Sequence, residues 1–293
     1  MMLTTTTLIL TTTFSDMTGE VITSGQNAKV KRLLALQQKS AERRQQGLFV
    51  VEGRRELMHC VQAGYEIDSV FFCTSSDGAG QGIETFLASL SLMSVPCYGV
   101  SPVVYQRIAY RGSTEGVVAL VRSRMLQLSE LQLGSAPLLI VVEGVEKPGN
   151  LGAILRSADA SGADAVVVCD ALTDLYNPNL IRSSIGAVFT VPTVVTTSAE
   201  CISFLRSRQF SILTAQLQDS RLYYDADMRG ATAIVMGTEA TGLTSQWREA
   251  ATAHIRIPML GRLDSLNVSV SAAILLFEAV RQRQGDKVLS IRV

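Results

Sequence analysis

Five short runs of almost continuously apolar residues recur along the second half of the chain, and they restrict its possible folds more than any other feature. The runs cover residues 138–142, 165–168, 211–215, 233–236 and 254–257, and stretches with helical character separate them. A strand that is apolar throughout must be buried on both faces, as in a parallel sheet covered by helices. The sequence therefore predicts an α/β domain with a parallel sheet over residues 137–293.

The front half of the chain predicts a second, smaller α/β domain over residues 21–124. An amphipathic helix from Asn27 is expected to end at Gly47, and alternating strand-like and helical segments follow as far as a strand near Val118. Residues 1–20 are rich in threonine and are predicted to be a disordered leader. Residues 125–136 are interpreted as the linker between the two domains.

Composition and charge indicate a globular chain with one local basic region. Hydrophobic residues make up 47% and charged residues 18% of the sequence, which suffices for substantial cores. Lysine plus arginine equals aspartate plus glutamate at 26 each, yet residues 26–55 hold eight basic residues against two acidic ones. Such a cluster is either a solvated helix face or a surface that binds a polyanion.

Cysteine and histidine usage gives no sign of a disulfide framework or a metal site. The five cysteines are widely spaced and form no C-x-x-C pair, and only two histidines are available as further ligands. No apolar stretch reaches the roughly 18 residues that a membrane-spanning helix needs, and no secretory signal is visible. These features predict a cytoplasmic protein without a metal and without a membrane partner.

Three loops that follow predicted strands carry unusual polar residues and glycines. Ligands of open parallel sheets bind beyond the carboxyl ends of the strands, so these positions are the informative ones. The first loop leads into a helix that carries Arg156, which would either form a salt bridge between domains or subunits or face a phosphate. The second holds Gly237, Glu239 and Gly242. It is either an ordinary strand-to-helix turn or a turn whose glycines let the backbone come close to a bound ligand.

The third loop places Ser265 and Asn267 before a long apolar helix. One of these residues is expected to cap that helix, and the remaining polar groups exceed what a cap requires.

The three loops together resemble the signature motifs of the SpoU/TrmH family of RNA 2′-O-ribose methyltransferases, within the SPOUT superfamily. The matching segments are P-G-N-L-G-A-I-L-R-S-A at 148–158, M-G-T-E-A-T-G-L at 236–243 and I-P-M-L-G-R-L-D-S-L-N-V-S-V-S-A-A at 257–273. In the front domain, R-R-Q-Q-G-L-F-V-V-E-G-R-R-E-L at 43–57 resembles the family's substrate-binding module, which is similar to ribosomal protein L30. One departure is that Glu146 and Lys147 stand where the family usually has Asp or Asn before the proline.

The resemblance implies an S-adenosylmethionine-dependent enzyme without a metal that methylates a ribose 2′-hydroxyl in RNA, in a homodimer whose catalytic domain contains a trefoil knot. Large-subunit ribosomal RNA is the preferred substrate and transfer RNA the alternative; DNA is not expected to bind. Carried over residue by residue, Gly237, Ile257 and Leu266 would bind the methyl donor. The implied catalytic residues are Asn150, Arg156, Glu239, Ser265 and Asn267. The residues expected to bind RNA are Lys29, Lys31, Arg32, Arg43, Arg44, Arg54 and Arg55.

Two other classes of protein compete with this interpretation. A Rossmann-type enzyme would use the glycine-rich segment D-G-A-G-Q-G at 77–82 as its nucleotide loop, but the glycine spacing does not match a dinucleotide fingerprint. An RNA-binding module without catalytic activity would explain the basic front domain. That alternative would not explain the polar loop at Ser265 or the glycine turn at Gly237.

Overall fold

The chain forms two compact units, Met1–Ser123 and Arg124–Val293. The structure, a computed structural model, describes residues 21–74, 86–87, 90, 94–110, 116–238, 241–263 and 265–284. The predicted leader at residues 1–20, the glycine-rich segment at 77–82 and Glu239 lie outside the described residues.

The first unit is a small α/β domain, as the sequence predicts. Its helices are α1 (Ala28–Gln38), α2 (Ser40–Gln46), α3 (Arg54–Gln62) and α4 (Pro102–Ile108), and its strands are β1 (Leu48–Glu52), β2 (Ile67–Cys73), β3 (Cys97–Val100) and β4 (Val117–Arg122). The strands form one sheet in the order β1-β4-β2-β3, in which only the β2–β3 pair is parallel. Phe71, Leu33 and Leu36 are among the residues of its buried core.

The single helix predicted from Asn27 to Gly47 is wrong, because the chain breaks at Lys39, whose backbone is extended. Arg43 stabilises the break. Its guanidinium donates hydrogen bonds to the carbonyl oxygens of Leu36 (2.6 Å) and Gln37 (3.2 Å) at the end of α1. Gly47 does end the second segment, in the left-handed conformation that glycine adopts without strain.

The second unit contains the predicted parallel sheet. Its strands are β5 (Leu138–Glu143), β6 (Ala165–Cys169), β7 (Thr193–Thr196), β8 (Ser211–Ala215), β9 (Arg221–Leu222), β10 (Thr232–Met236) and β11 (Ala253–Arg256). Its helices are α5 (Pro148–Ser161), α6 (Pro178–Ser184), α7 (Ala187–Thr190), α8 (Ser198–Ser207), α9 (Ser245–Ala250) and α10 (Val268–Gln284). Strands β5, β6 and β10 are buried along their whole length, which explains their continuous apolar sequence.

The order of the strands fixes where a ligand can bind. The sheet runs β7-β6-β5-β10-β8-β11-β9, and every neighbouring pair is parallel. The chain first builds outward from β5 through β6 to β7, and then continues on the other side of β5 with β8, β10 and β11. The direction of winding therefore reverses between β5 and β10. In open parallel sheets such a switch point opens a crevice at the carboxyl ends of the strands.

Residues 125–136, which the sequence predicts to be a linker, pack against the second unit. Leu126 forms a parallel bridge with Val194 of β7. Leu131 belongs to the buried core, and Leu128 and Leu133 pack against it. The Tyr176 hydroxyl donates to the carbonyl oxygen of Arg124 (2.5 Å). This segment is thus held by side chains of the second unit over most of its length.

Membrane-spanning helices and metal-binding clusters are both absent from the described residues. None of their helices has the length and apolar character needed to cross a bilayer. In the same part of the chain, no three or more His, Cys, Asp or Glu side chains are grouped so as to hold a metal ion. Four of the five cysteines are buried, and Cys97 is half-buried. A hydrogen bond with Cys201, together with burial, raises the pKa of Cys169 far above its usual range.

Arg283, near the end of α10, forms hydrogen bonds with the segments that precede the central strands β5 and β10. Its guanidinium donates to the carbonyl oxygens of Met228, Ala136, Pro137 and Gly230 at 2.6–3.2 Å. Ala136 and Pro137 precede β5, and Gly230 precedes β10. The contact therefore lies at the edge of the sheet opposite the switch-point crevice.

Replacing Arg283 by alanine should destabilise the second unit without changing ligand binding at the crevice. Several carbonyl oxygens would lose a charged donor, which costs on the order of 2–4 kcal/mol. Urea unfolding should therefore show a lower midpoint. Arg229→Ala is the matched control, since its ion pair with Asp227 is exposed and the expected change is below about 0.5 kcal/mol. Equal midpoints for the two variants would contradict this role.

Candidate active site

A pocket lies at the switch point, where β5 and β10 end. It encloses about 480 Å³ of empty space, including solvent at its mouth. The lining residues come from three separate segments: the loop after β5 and the start of α5, the turn after β10, and the first residue of α10. They are Gly144, Val145, Glu146, Lys147, Asn150, Gly237, Thr238 and Val268. The three loops singled out in the sequence therefore meet at one place.

A hydrogen bond joins two of the predicted catalytic residues beside this pocket, which Asn150 lines and which Asn267 adjoins as the residue before Val268. The Asn267 Nδ2 donates to Asn150 Oδ1 at 3.1 Å, although the two residues are 117 positions apart. Asn267 Oδ1 accepts from the backbone nitrogen (3.0 Å) and hydroxyl (2.6 Å) of Ser269. Asn267 thus caps the first turn of α10, and because its oxygen faces Ser269, its amide nitrogen must face Asn150.

Gly237 allows the turn after β10 to fold back tightly on itself. Thr238 and Gly242 form an antiparallel bridge with two backbone hydrogen bonds. A Cβ atom on Gly237 would lie 2.3 Å from the carbonyl carbon of Gly242 and 2.5 Å from the backbone nitrogen of Leu243. These neighbours are backbone atoms that cannot rotate away. The glycine is therefore required by the close approach of two backbone segments within the turn itself, and its predicted contact with the methyl donor stays a prediction.

Gly144 closes the opposite wall of the pocket. Its φ of +63° is in the left-handed region, and a Cβ there would come within 3.0 Å of the Thr238 side chain. The turn after β5 and the turn after β10 consequently touch. The first turn leads into α5, where Lys147 stands at the N-cap position without a side-chain capping bond and Pro148 takes the first helical position. A Lys at this position leaves the first backbone N–H groups of α5 without the side-chain acceptor that Asp or Asn would supply.

A buried polar network lies beneath the pocket and was not foreseen from the sequence. Glu143, the last residue of β5, is 4% exposed. Its carboxylate accepts from the backbone nitrogen (2.9 Å) and hydroxyl (2.7 Å) of Thr244, just after the Gly237–Gly242 turn. Ser198 at the start of α8 lies within hydrogen-bond distance of both Glu143 and Asp170, and it accepts from Trp247 Nε1 (2.9 Å). The network fixes the end of β5 to the segment that follows the turn.

The structure does not bring all the predicted residues to the pocket lining. Arg156 lies on α5 but is exposed, and it does not line the pocket. Ser265 and Leu266 are exposed in the segment before α10, and half-buried Ile257 directly follows β11. The roles assigned to these residues stay predictions, as does that of Glu239, which lies outside the described residues.

The basic residues of the first unit differ in exposure. Lys29, Lys31, Arg32, Arg44 and Arg55 are exposed, and Arg54 is half-buried. Arg55 pairs with Glu56 at 2.7 Å, and Arg32 lies 3.7 Å from Asp68. Arg43, by contrast, is 5% exposed and serves the break between α1 and α2. The structure thus gives Arg43 a structural contact that its sequence context did not indicate.

Comparison with known proteins identifies the family of the chain. Residues 137–277 match the SpoU rRNA Methylase family, and residues 27–119 match the MRM3-like substrate binding domain. A 23S rRNA (guanosine-2′-O-)-methyltransferase, RlmB, from Ralstonia nicotianae is 36% identical over 222 residues, which cover 74% of this chain and 88% of the relative. The chain belongs to the SpoU rRNA methylase family. The resemblance seen in the three motifs is thereby confirmed.

Solved structures of family members share the fold across both units. An RNA 2′-O ribose methyltransferase has a TM-score of 0.78 and 38% identity, over 90% of this chain and 99% of that one. An S-adenosylmethionine-bound rRNA methyltransferase from Sinorhizobium meliloti has a TM-score of 0.82 and 26% identity, over 90% and 98% of the two chains. These similarities confirm the two-domain α/β architecture with a C-terminal parallel sheet.

Proposed function

We propose that this chain transfers a methyl group from S-adenosylmethionine to a ribose 2′-hydroxyl of RNA, in the pocket between the ends of β5 and β10. The observation that carries the proposal is the convergence of the three family motifs on that pocket, with Asn150 hydrogen-bonded to Asn267. The family membership and the S-adenosylmethionine-bound relative support it. An RNA-binding module without catalysis would not require this convergence.

The pocket suits a ligand that is partly apolar and partly polar. Val145 and Val268 supply apolar surface, while Asn150 and Thr238 supply hydrogen-bonding groups. Gly144 and Gly237 leave backbone groups accessible at its walls. Gly237, Ile257 and Leu266 would hold the S-adenosylmethionine, which supplies an electrophilic methyl group when bound. No metal takes part in the proposed reaction.

The polar side chains would orient the ribose and its phosphate. Asn150 and Asn267 are preorganised by their mutual hydrogen bond, so both side chains are held in position before the sugar binds. Ser265 would face the same sugar. The 2′-hydroxyl must lose a proton as the new bond forms, and a guanidinium stays protonated in proteins and makes a poor base. We therefore assign Arg156 to phosphate binding and charge stabilisation, with that phosphate or Glu239 accepting the proton.

We further propose that the enzyme works as a homodimer in which two subunits complete each site. Two observations support a second copy. Arg156 is exposed and lies outside the pocket lining of its own subunit. In addition, Val270 (47% exposed) and Phe277 (48% exposed) stand seven residues apart on α10 and share one helix face. The trefoil knot of the catalytic domain likewise remains a proposal from the family resemblance.

The proposed substrate is large-subunit ribosomal RNA in the cytoplasm, with transfer RNA as the alternative. The RlmB relative is named for 23S rRNA. In the first unit, the exposed residues Lys29, Lys31, Arg32, Arg44 and Arg55, with Arg54, would neutralise RNA phosphates. Arg43 is left out of this surface because its guanidinium is buried against α1.

Methyl-transfer assays and modification mapping test the proposed reaction. Ribosomal and transfer RNA from cells that lack this gene would be incubated with the protein and S-adenosylmethionine carrying a labelled methyl group. Nucleoside analysis should then show a 2′-O-methylated nucleoside in ribosomal RNA, and mapping should locate it. Label in transfer RNA alone would favour the alternative substrate. Calorimetry that detected RNA binding but no S-adenosylmethionine binding would favour the non-catalytic module.

Removing two exposed basic side chains should weaken RNA binding through charge alone. Lys31→Gln with Arg44→Gln should lower the affinity for RNA and reduce the slope of log affinity against log salt by about 1.4, because each phosphate contact in single-stranded RNA contributes about 0.7. Filter binding at several salt concentrations measures this. Arg229→Gln, an exposed change in the second unit, serves as the control. An unchanged slope in the double variant would remove these two residues from the RNA surface.

A further inference from the structure

The turn after β10 is attached at both of its ends to one strand, β5. At its start, Met236 pairs with Val142 in the parallel ladder. At its end, the backbone nitrogen and the hydroxyl of Thr244 donate to the two carboxylate oxygens of Glu143, at 2.9 Å and 2.7 Å. Val142 and Glu143 are consecutive residues. The two ends of the turn are therefore held next to each other on the strand that leads into the pocket.

Thr244 uses its hydroxyl for this contact and not to cap a helix. It stands at the N-cap position of α9, where a threonine side chain ordinarily accepts from a backbone N–H of the first helical turn. Here the side chain makes no capping bond. The hydroxyl therefore contributes to the attachment of the turn to Glu143 and not to the stability of α9.

The carboxylate of Glu143 is also held from its other side. Ser198 Oγ lies 3.2 Å from Glu143 Oε1 and 2.5 Å from Asp170 Oδ2. Trp247 Nε1 donates to the same hydroxyl at 2.9 Å. Ser198 and Trp247 are almost completely buried, so these neighbours restrict the rotation of the Glu143 side chain. Both carboxylate oxygens are thereby held ready for Thr244.

Glu143 does not line the pocket, so any effect on a ligand must pass through its neighbours. Gly144, which follows it, and Gly237 and Thr238, which begin the turn, do line the pocket. Without the bonds to Thr244, the turn would keep only its attachment to β10 and its own internal bridge. Fewer molecules would then have a complete pocket wall, and the apparent affinity for a ligand falls in proportion to that fraction.

We infer that Glu143 is a positioning residue for cofactor binding: acting through Thr244, it holds the turn after β10 in the shape that accepts S-adenosylmethionine. This inference rests on the proposed function, since it assumes that the pocket binds that cofactor. In this role Glu143 touches neither the cofactor nor the RNA.

Replacing Thr244 by valine tests the inference with little change in shape. Valine keeps the branched side chain and the backbone N–H but loses the hydroxyl, and α9 loses no cap. The affinity for S-adenosylhomocysteine, measured by calorimetry, should fall about 5-fold, as for the loss of one hydrogen bond. Thr244→Ser keeps the hydroxyl and should bind like the wild type. Equal affinities of Thr244→Val and the wild type would overturn the inference.

A double-mutant cycle tests whether Glu143 acts through Thr244. Glu143→Met keeps the length of the side chain and removes both acceptor oxygens, so the affinity should fall about 20-fold. The double variant with Thr244→Val should bind no more weakly than Glu143→Met alone, because the same contact is already lost. Multiplied losses in the double variant would show that the two residues act independently, and would overturn the inference. If Glu143→Met does not fold, Thr244→Val and Thr244→Ser decide.

Glu200→Met is the matched control, because Glu200 makes the same kind of contact on the exposed surface. Its carboxylate accepts from the backbone nitrogen (3.2 Å) and the hydroxyl (3.0 Å) of Thr197, the N-cap residue of α8. This variant should unfold at a lower temperature and bind S-adenosylhomocysteine like the wild type. The same result in Glu143→Met would reveal a purely structural role and overturn the inference, with the proposed function intact. If the wild type itself binds no cofactor, the proposed function fails, and the inference fails with it.

Discussion

Replacing Gly237 by alanine should lower the affinity for S-adenosylmethionine about 10- to 100-fold. The new methyl group would lie 2.3–2.5 Å from backbone atoms of Gly242 and Leu243, so the turn after β10 would have to open. Overpacking of this kind usually costs about 1–3 kcal/mol, and here the displaced backbone is the wall of the pocket itself. Isothermal calorimetry with S-adenosylhomocysteine measures the loss directly.

Gly230→Ala is the matched control for this change. Gly230 precedes β10 as Gly237 follows it, and a Cβ there would meet nothing within 4 Å. The control variant should bind the cofactor like the wild type and unfold at a similar temperature. Wild-type affinity in Gly237→Ala would show that the turn after β10 is not part of the cofactor site.

Changing Arg156 to lysine should reduce the rate of methyl transfer about 100-fold while leaving cofactor affinity and thermal stability unchanged. Lysine keeps the positive charge but cannot form the two parallel hydrogen bonds that a guanidinium makes with a phosphate, and loss of such transition-state contacts typically costs about 10²–10³ in kcat. Stability should not change, because Arg156 is exposed. Single-turnover rates with Arg206→Lys, another exposed arginine, provide the control. Near-normal turnover in Arg156→Lys would contradict a bidentate role.

Mixing two inactive variants tests whether Arg156 acts in its own subunit or in the partner. If the sites are shared, a heterodimer of Arg156→Ala and Asn150→Ala carries both defects in one site and none in the other. Random assembly would then restore about a quarter of wild-type activity, because half of the dimers are mixed and half of their sites are intact. No recovery on mixing would place Arg156 in the site of its own subunit.

The sequence predicted the catalytic sheet well because its strands are buried on both faces. The apolar runs of β5, β6 and β10, which are buried along their whole length, leave little choice of structure. Strand β7 (T-V-V-T) was missed, because it is short, half polar and preceded by a proline. The break at Lys39 was missed because helical periodicity continues across it, and the contact that stabilises it comes from the later Arg43.

The sequence predicts the site residues that come soon after an apolar strand. It does not predict those whose role depends on a partner far away in the sequence. Gly237, Asn150 and Asn267 stand out because glycine and amide side chains follow apolar runs. Glu143 stands at the end of such a run, and nothing next to it in the sequence indicates a buried carboxylate. Its partners Ser198 and Thr244 are 55 and 101 positions away. No local pattern brings those side chains together, so the buried network appears only in three dimensions.

The chain contains one tryptophan, and its position gives the molecule a built-in optical probe. The Trp247 indole is fully buried, and the serine that accepts from it lies within hydrogen-bond distance of Glu143, the residue that anchors the wall of the pocket. Fluorescence excited at the indole band therefore originates from a single site close to where ligands enter. A rearrangement of that wall would alter the wavelength or the intensity of the emission. Ligand binding in the pocket could therefore be followed in real time without attaching a dye.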